Sequence, residues 1–111
     1  MSIKEVDVAI RKLQMNDSLV DVPGWCRYAA EKMEQVAIEA DKTAPQTIKE
    51  ILVYPDASVA QEEIHYALRV SSPEGTIVYN LNQAGMFPKY VGDFESAPGL
   101  ISKMKVTEKV L

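Results

Sequence analysis

The spacing of apolar residues changes once along the chain, and that change limits the folds open to it. Up to Ala40 they recur every three to four positions. From Ile48 onward, short runs rich in β-branched and aromatic residues take over. "SIKEVDVAIRKLQM" puts Ile3, Val6, Ile10 and Leu13 at helical spacing, and Ser2 with Glu5 forms a capping-box pattern. "NDSLVDV" breaks the period and reads as a loop. "PGWCRYAAEKMEQVAIEADK" is the strongest helix, with Ala29, Met33, Val36, Ala37 and Ala40 along one face and Pro23 in its first turn. "TAPQT" stops it.

The second half reads as strands. "IKEILVYP" is one, "DASVAQEE" a turn, and "IHYALRV" and "TIVYNLN" form a hairpin around "SSPEG". "QAGMFPKYVGDFESAPG" reads as a long irregular loop, either folded onto the sheet by its aromatics or serving as a lid. "LISKMKVTEKVL" reads as a last strand, with Met104, Val106 and Val110 on one face and Glu108 the polar exception there. Helices followed by strands predict an α+β domain spanning 1–111, with N-terminal helices and a long central helix, Cys26 at its N-terminus, packed on a small antiparallel sheet. A chain of 111 residues can bury a core of its own.

Charge and cysteine content remove several functions. The net charge is −4 and the lysines and arginines are scattered, so nucleic acid is not an expected partner. The opening "MSIKEVDVAIRKLQ" is broken by charges every few residues. It resembles neither a signal peptide nor a membrane span, so a cytoplasmic setting and no membrane partner are expected. Leaderless delivery into another cell would leave no mark on it. A single cysteine makes no internal disulfide. With one Cys and one His, a zinc site would need several carboxylates, so no metal or cofactor is implied.

The remaining chemistry converges on three places. Cys26 stands where a helix begins, and the partial positive charge of a helix N-terminus favours a thiolate. His65 opens a strand. If Val70 faces Ile77 across the turn, Ala67 faces Asn80 and His65 faces Asn82, so both asparagines share the histidine's face. A histidine can take the thiol proton, and an Asn side-chain oxygen can fix the imidazole's tautomer. Free amides of the first helical turn could hold an oxyanion.

"GWCRYAA", "HYALRVSSPEGTIVYNLN" and "VYNLNQAGMF" resemble the helix start, the histidine strand and the Asp/Asn strand of compact papain-like cysteine enzymes. The likeness is to transglutaminase-like and bacterial toxin or effector members, over roughly 22–87. It implies Cys26 as nucleophile, His65 as general base and Asn80 as the orienting residue. It also implies attack on a carboxamide or peptide group of a protein substrate, as in a glutamine deamidase or cysteine protease. Effector families usually carry Asp at the Asn80 position, whereas papain proteases carry Asn. Gln14 and Asn16 are the upstream candidates for a side-chain oxyanion donor, and Trp25, Asn82 and Gln83 for lining a substrate pocket. Trp25 has a competing reading as a core anchor. Small size, acidic charge and Asn80 in place of Asp support a different function, that of a non-enzymatic binding module such as an immunity protein, a phage-type inhibitor or a degenerate papain-like module.

Overall fold

The computed structural model describes residues 2–54 and 64–110. The stretch "DASVAQEE" lies wholly outside them. Two helices, α1 (Ser2–Asn16) and α2 (Cys26–Ala40), precede five strands: β1 (Ile48–Tyr54), β2 (His65–Ser72), β3 (Gly75–Asn80), β4 (Tyr90–Asp93) and β5 (Lys105–Val110). The strands form one sheet in the order β4-β3-β2-β1-β5, every neighbour antiparallel. The chain is an α+β domain.

The helices cover one face of the sheet. Val6 and Ile10 of α1 and Ala29, Ala30, Met33 and Ala37 of α2 are buried against Ile51, Leu68, Val70 and Tyr79. Three of the four α2 residues are alanines, whose small side chains let the helix lie close to the strands. The other face is covered by the chain that follows β3: Phe87, Ala97, Ile101 and Met104 pack over Leu52, Ala67 and Val78. Burial on both faces explains why "ILVY" and "YALRV" are nearly continuous apolar runs, without the alternation of a half-solvated strand.

Four local readings of the sequence are corrected. "NDSLVDV" contains a 3-10 turn at Ser18–Asp21, which Asp17 caps by accepting from the Leu19 amide at 3.1 Å. Pro23 lies before α2, not in its first turn. The chain turns at Gly24, whose φ of +92° is costly for other residues, and Trp25 is the cap. The long loop contains β4. This edge strand has only four residues, one of them Gly92, and carries no alternation that would mark it. Finally, β5 does not present Met104, Val106 and Val110 on one face. A bulge shifts its pairing between Ile51, opposite Glu108, and Leu52, opposite Val106. The extra residue sends Val106 to one side and Glu108 and Val110 to the other. The Ser2–Glu5 capping box rests on a side chain outside the described set.

One buried ion pair closes the link from α2 to β1. The Lys49 ammonium donates to Asp41 at 2.5 Å, and both side chains are 1% exposed. Asp41 also accepts from the Thr47 hydroxyl at 2.7 Å and the Gln46 amide at 3.3 Å, and Lys49 donates to the Thr47 carbonyl. Burial raises the Asp41 pKa, but these donors outweigh it and hold the carboxyl below its usual range. Its contribution to stability is therefore full above about pH 3.8 and is lost as pH falls through the folded value. Lys49→Met strands a buried carboxylate and should cost about 3–5 kcal/mol in urea unfolding. Adding Asp41→Asn should recover much of that loss. A cost under about 1 kcal/mol for the single variant would show the pair to be energetically idle.

Candidate functional site

β2 and β3 bring two polar side chains to the same end of one hairpin. Val70 pairs with Ile77 and the ladder runs on to Leu68 opposite Tyr79. His65 at the start of β2 and Asn80 at the end of β3 then meet on the sheet face that carries Ala67 and Val78. Asn80 Oδ1 lies 2.7 Å from His65 Nε2, and Asn80 Nδ2 donates to the Pro88 carbonyl at 2.7 Å. The second bond fixes the first. A carbonyl only accepts, so the amide nitrogen must face Pro88 and the amide oxygen must face the ring. Nε2 therefore carries a proton, and Nδ1 of the neutral imidazole keeps its lone pair.

The ring is enclosed. His65 is 1% exposed, and Phe87 stacks on it with centroids 4.4 Å apart and planes 22° from parallel. Burial lowers the imidazole pKa below its usual value, and the Asn80 bond offsets this only in part. Nδ1 is buried and makes no hydrogen bond among the described residues. The pair is a neutral base, fixed in tautomer, with an unused lone pair.

Cys26 is the first residue of α2 and is half-buried. Its Sγ donates to the carbonyl oxygen of Ile64, the residue before His65, over a long 4.0 Å. Among the described residues no hydrogen bond joins thiol to imidazole. The geometry explains this: α2 packs on the face opposite His65, so the thiol meets the start of β2 at its backbone. Trp25 caps α2 with no side-chain hydrogen bond, which leaves the first-turn amides without an acceptor from the cap.

The other candidates fall into place around this helix start. Trp25 is 45% exposed and sits edge-on to Tyr28, 5.5 Å between centroids, so it is not a core anchor. Gln14 donates to Asp21 at 3.4 Å and Asn16 to the Lys12 carbonyl at 2.9 Å, so both amides are engaged away from Cys26. Asp21 faces Gln14 and Lys89. Asn82 is buried, and its Nδ2 donates to the carbonyls of Val20 and Val22. Gln83 is exposed. A cleft of about 290 Å³ opens beside Asn80, lined by Arg11, Gln14, Lys89 and Tyr90 among others.

The sequence offers Phe87 only as one of the aromatics that could fold the loop onto the sheet, and does not single out the Pro88 carbonyl. The aromatic followed by proline in "GMFPKY" was the available signal, since such a loop tends to return to a surface it can cover. Comparison of the chain with protein-family models, curated proteins and solved structures finds no match.

A buried imidazole with a depressed pKa makes stability depend on pH. The unfolded ring binds a proton near pH 6.5 and the folded ring only at lower pH. Its contribution is therefore full above about pH 6.5 and falls as pH drops through the folded value. Urea midpoints should decline from about pH 7.5 to about pH 5, above the Asp41 window. His65→Gln should flatten this decline. An equal decline in the variant would show that another group causes it.

Proposed function

We propose that the chain is a cysteine-dependent hydrolase or acyl-transfer enzyme with a papain-like core, acting on a carboxamide or peptide group of a protein substrate. The observation that carries this reading is the His65 Nδ1 lone pair. It is buried, has no partner among the described residues, and is held in the base form because Asn80 fixes the proton on Nε2. It belongs to the residue next to the one whose carbonyl the Cys26 thiol touches.

In this mechanism the Cys26 proton passes to His65 Nδ1 around the end of the sheet where β2 begins, and that end must move to let them meet, because α2 and the enclosed imidazole lie on opposite faces. The thiolate sulfur bonds to the carbonyl carbon, and the carbonyl π electrons move to oxygen. The first-turn amides of α2 receive that oxyanion. The imidazolium returns its proton to the departing nitrogen as the carbon–nitrogen bond breaks. Water then cleaves the thioester and frees Cys26. Asn80 holds the imidazole throughout. It stabilises imidazolium less than a carboxylate would, but an Asp here would set an acceptor against the Pro88 carbonyl and lose the bond that orients the side chain.

A second reading has its own support. His65 is covered by Phe87 and makes no bond to the thiol, which is how a structural His–Asn pin in a binding module would look. Iodoacetamide labelling of Cys26 against pH separates the two. The enzyme reading expects a midpoint well below about pH 8.5, moved toward that value by His65→Ala. A midpoint near that of free cysteine, and indifferent to His65, would leave the binding module.

A further inference from the structure

The loop that delivers Cys26 to its helix is held from a distance. Between the 3-10 turn and α2 the chain runs through Val22, Pro23, Gly24 and Trp25. Val22 ends the 3-10 turn, with its amide on the Leu19 carbonyl at 3.2 Å. The Val22 carbonyl then accepts from the Trp25 amide at 3.1 Å, which closes the turn immediately before Cys26. Asn82 donates to that same carbonyl and, at 3.2 Å, to the Val20 carbonyl. One side-chain amide thus binds two carbonyls some 60 residues earlier in the chain.

Asn82 is two residues past Asn80. The exit of β3 therefore holds both halves of the proposed chemistry, Asn80 fixing the imidazole and Asn82 fixing the turn that ends at the thiol. Leu81 between them is 3% exposed in the core under the helices, which limits how far either asparagine can shift alone. Asn82 is itself 1% exposed, and its Oδ1 is buried without a partner among the described residues. An unpaired buried acceptor is a cost, and an apolar residue here would avoid it. What an apolar residue could not supply is the pair of N–H donors.

We infer that Asn82 is a positioning residue for Cys26, setting where the thiol stands relative to His65 by clamping the Val20–Val22 backbone. This role rests on the hydrolase reading for its chemical meaning, but the clamp can be tested without it.

The test uses the full chain with Asn82→Asp, which keeps the shape and removes both donors, and Asn82→Ala. Amide hydrogen exchange should show Trp25 losing about tenfold or more of its protection in both variants, with the β2 and β3 amides unchanged. The iodoacetamide midpoint of Cys26 should move toward that of His65→Ala in the same variants, while Asn82→Gln, which keeps the donors, should restore part of the wild-type profile. Unchanged Trp25 protection in Asn82→Asp would overturn the clamp. Lost protection with an unmoved midpoint would overturn the positioning role, provided that the wild-type midpoint responds to His65→Ala. If it does not respond, the hydrolase reading falls, and exchange at Trp25 still decides whether the clamp exists.

Discussion

A sheet with both faces apolar must be covered twice, and the rest of this chain follows from that requirement. The two helices supply one cover through Val6, Ile10, Met33 and the alanines of α2. No α-helix among the described residues covers the other side, so the segment between β3 and β5, with two short 3-10 turns at Phe94–Ser96 and Gly99–Lys103, does it with Phe87, Ala97, Ile101 and Met104. That segment is irregular because its task is to place a few side chains over Leu52, Ala67 and Val78, not to form a ladder. It leaves the sheet at Asn80, folds back past Phe87 and Pro88, and supplies β4 on the way. The environment of His65 follows directly. The ring lies under this second cover, shielded by Phe87 and held by an asparagine whose other bond goes to the cover itself.

Polar groups inside this double-sided core come in matched sets. Asp41 has three donors, and Lys49 makes two hydrogen bonds. His65 and Asn80 satisfy each other through one atom apiece. In such surroundings an unmatched atom carries information, because burying an acceptor without a donor is unfavourable. Among the described residues His65 Nδ1, Asn82 Oδ1 and Glu34 Oε2 are such atoms; the first belongs to the residue after Ile64, whose carbonyl the Cys26 thiol meets, and the second to the side chain that binds the Val22 carbonyl.

Much of this was legible in the residues. The change of apolar period separated helices from strands, and the α2 face could be read from Ala29, Met33 and Ala37 because a long amphipathic helix repeats its signal many times. The hairpin at "SSPEG" was legible, and the assumed facing of Val70 and Ile77 across it is the pairing that forms, since a short turn leaves few open. What the sequence did not carry was the side of the sheet on which each element lies. Periodicity says that His65 and Asn80 share a face. It does not say which face α2 covers, because both faces of β2 hold buried residues, Leu68 and Val70 on one and His65 and Ala67 on the other. For the same reason Cys26 could be placed at a helix start but not against a particular atom of His65. β4 escaped because four residues with a glycine are too few to show a period, and the shift in β5 because one extra residue leaves no compositional trace.

The bulge in β5 bears on more than register. β5 is an edge strand, and an edge strand offers a row of unpaired amides and carbonyls to any extended chain that approaches. Here the row is broken at Thr107, and its neighbours Lys105, Glu108 and Lys109 are exposed. An incoming strand could match the ladder above the break or below it, but not both, and would have to bury charges in either case. At the opposite edge β4 is only four residues long. The two edges thus limit, by different means, the growth of this sheet from one molecule to the next.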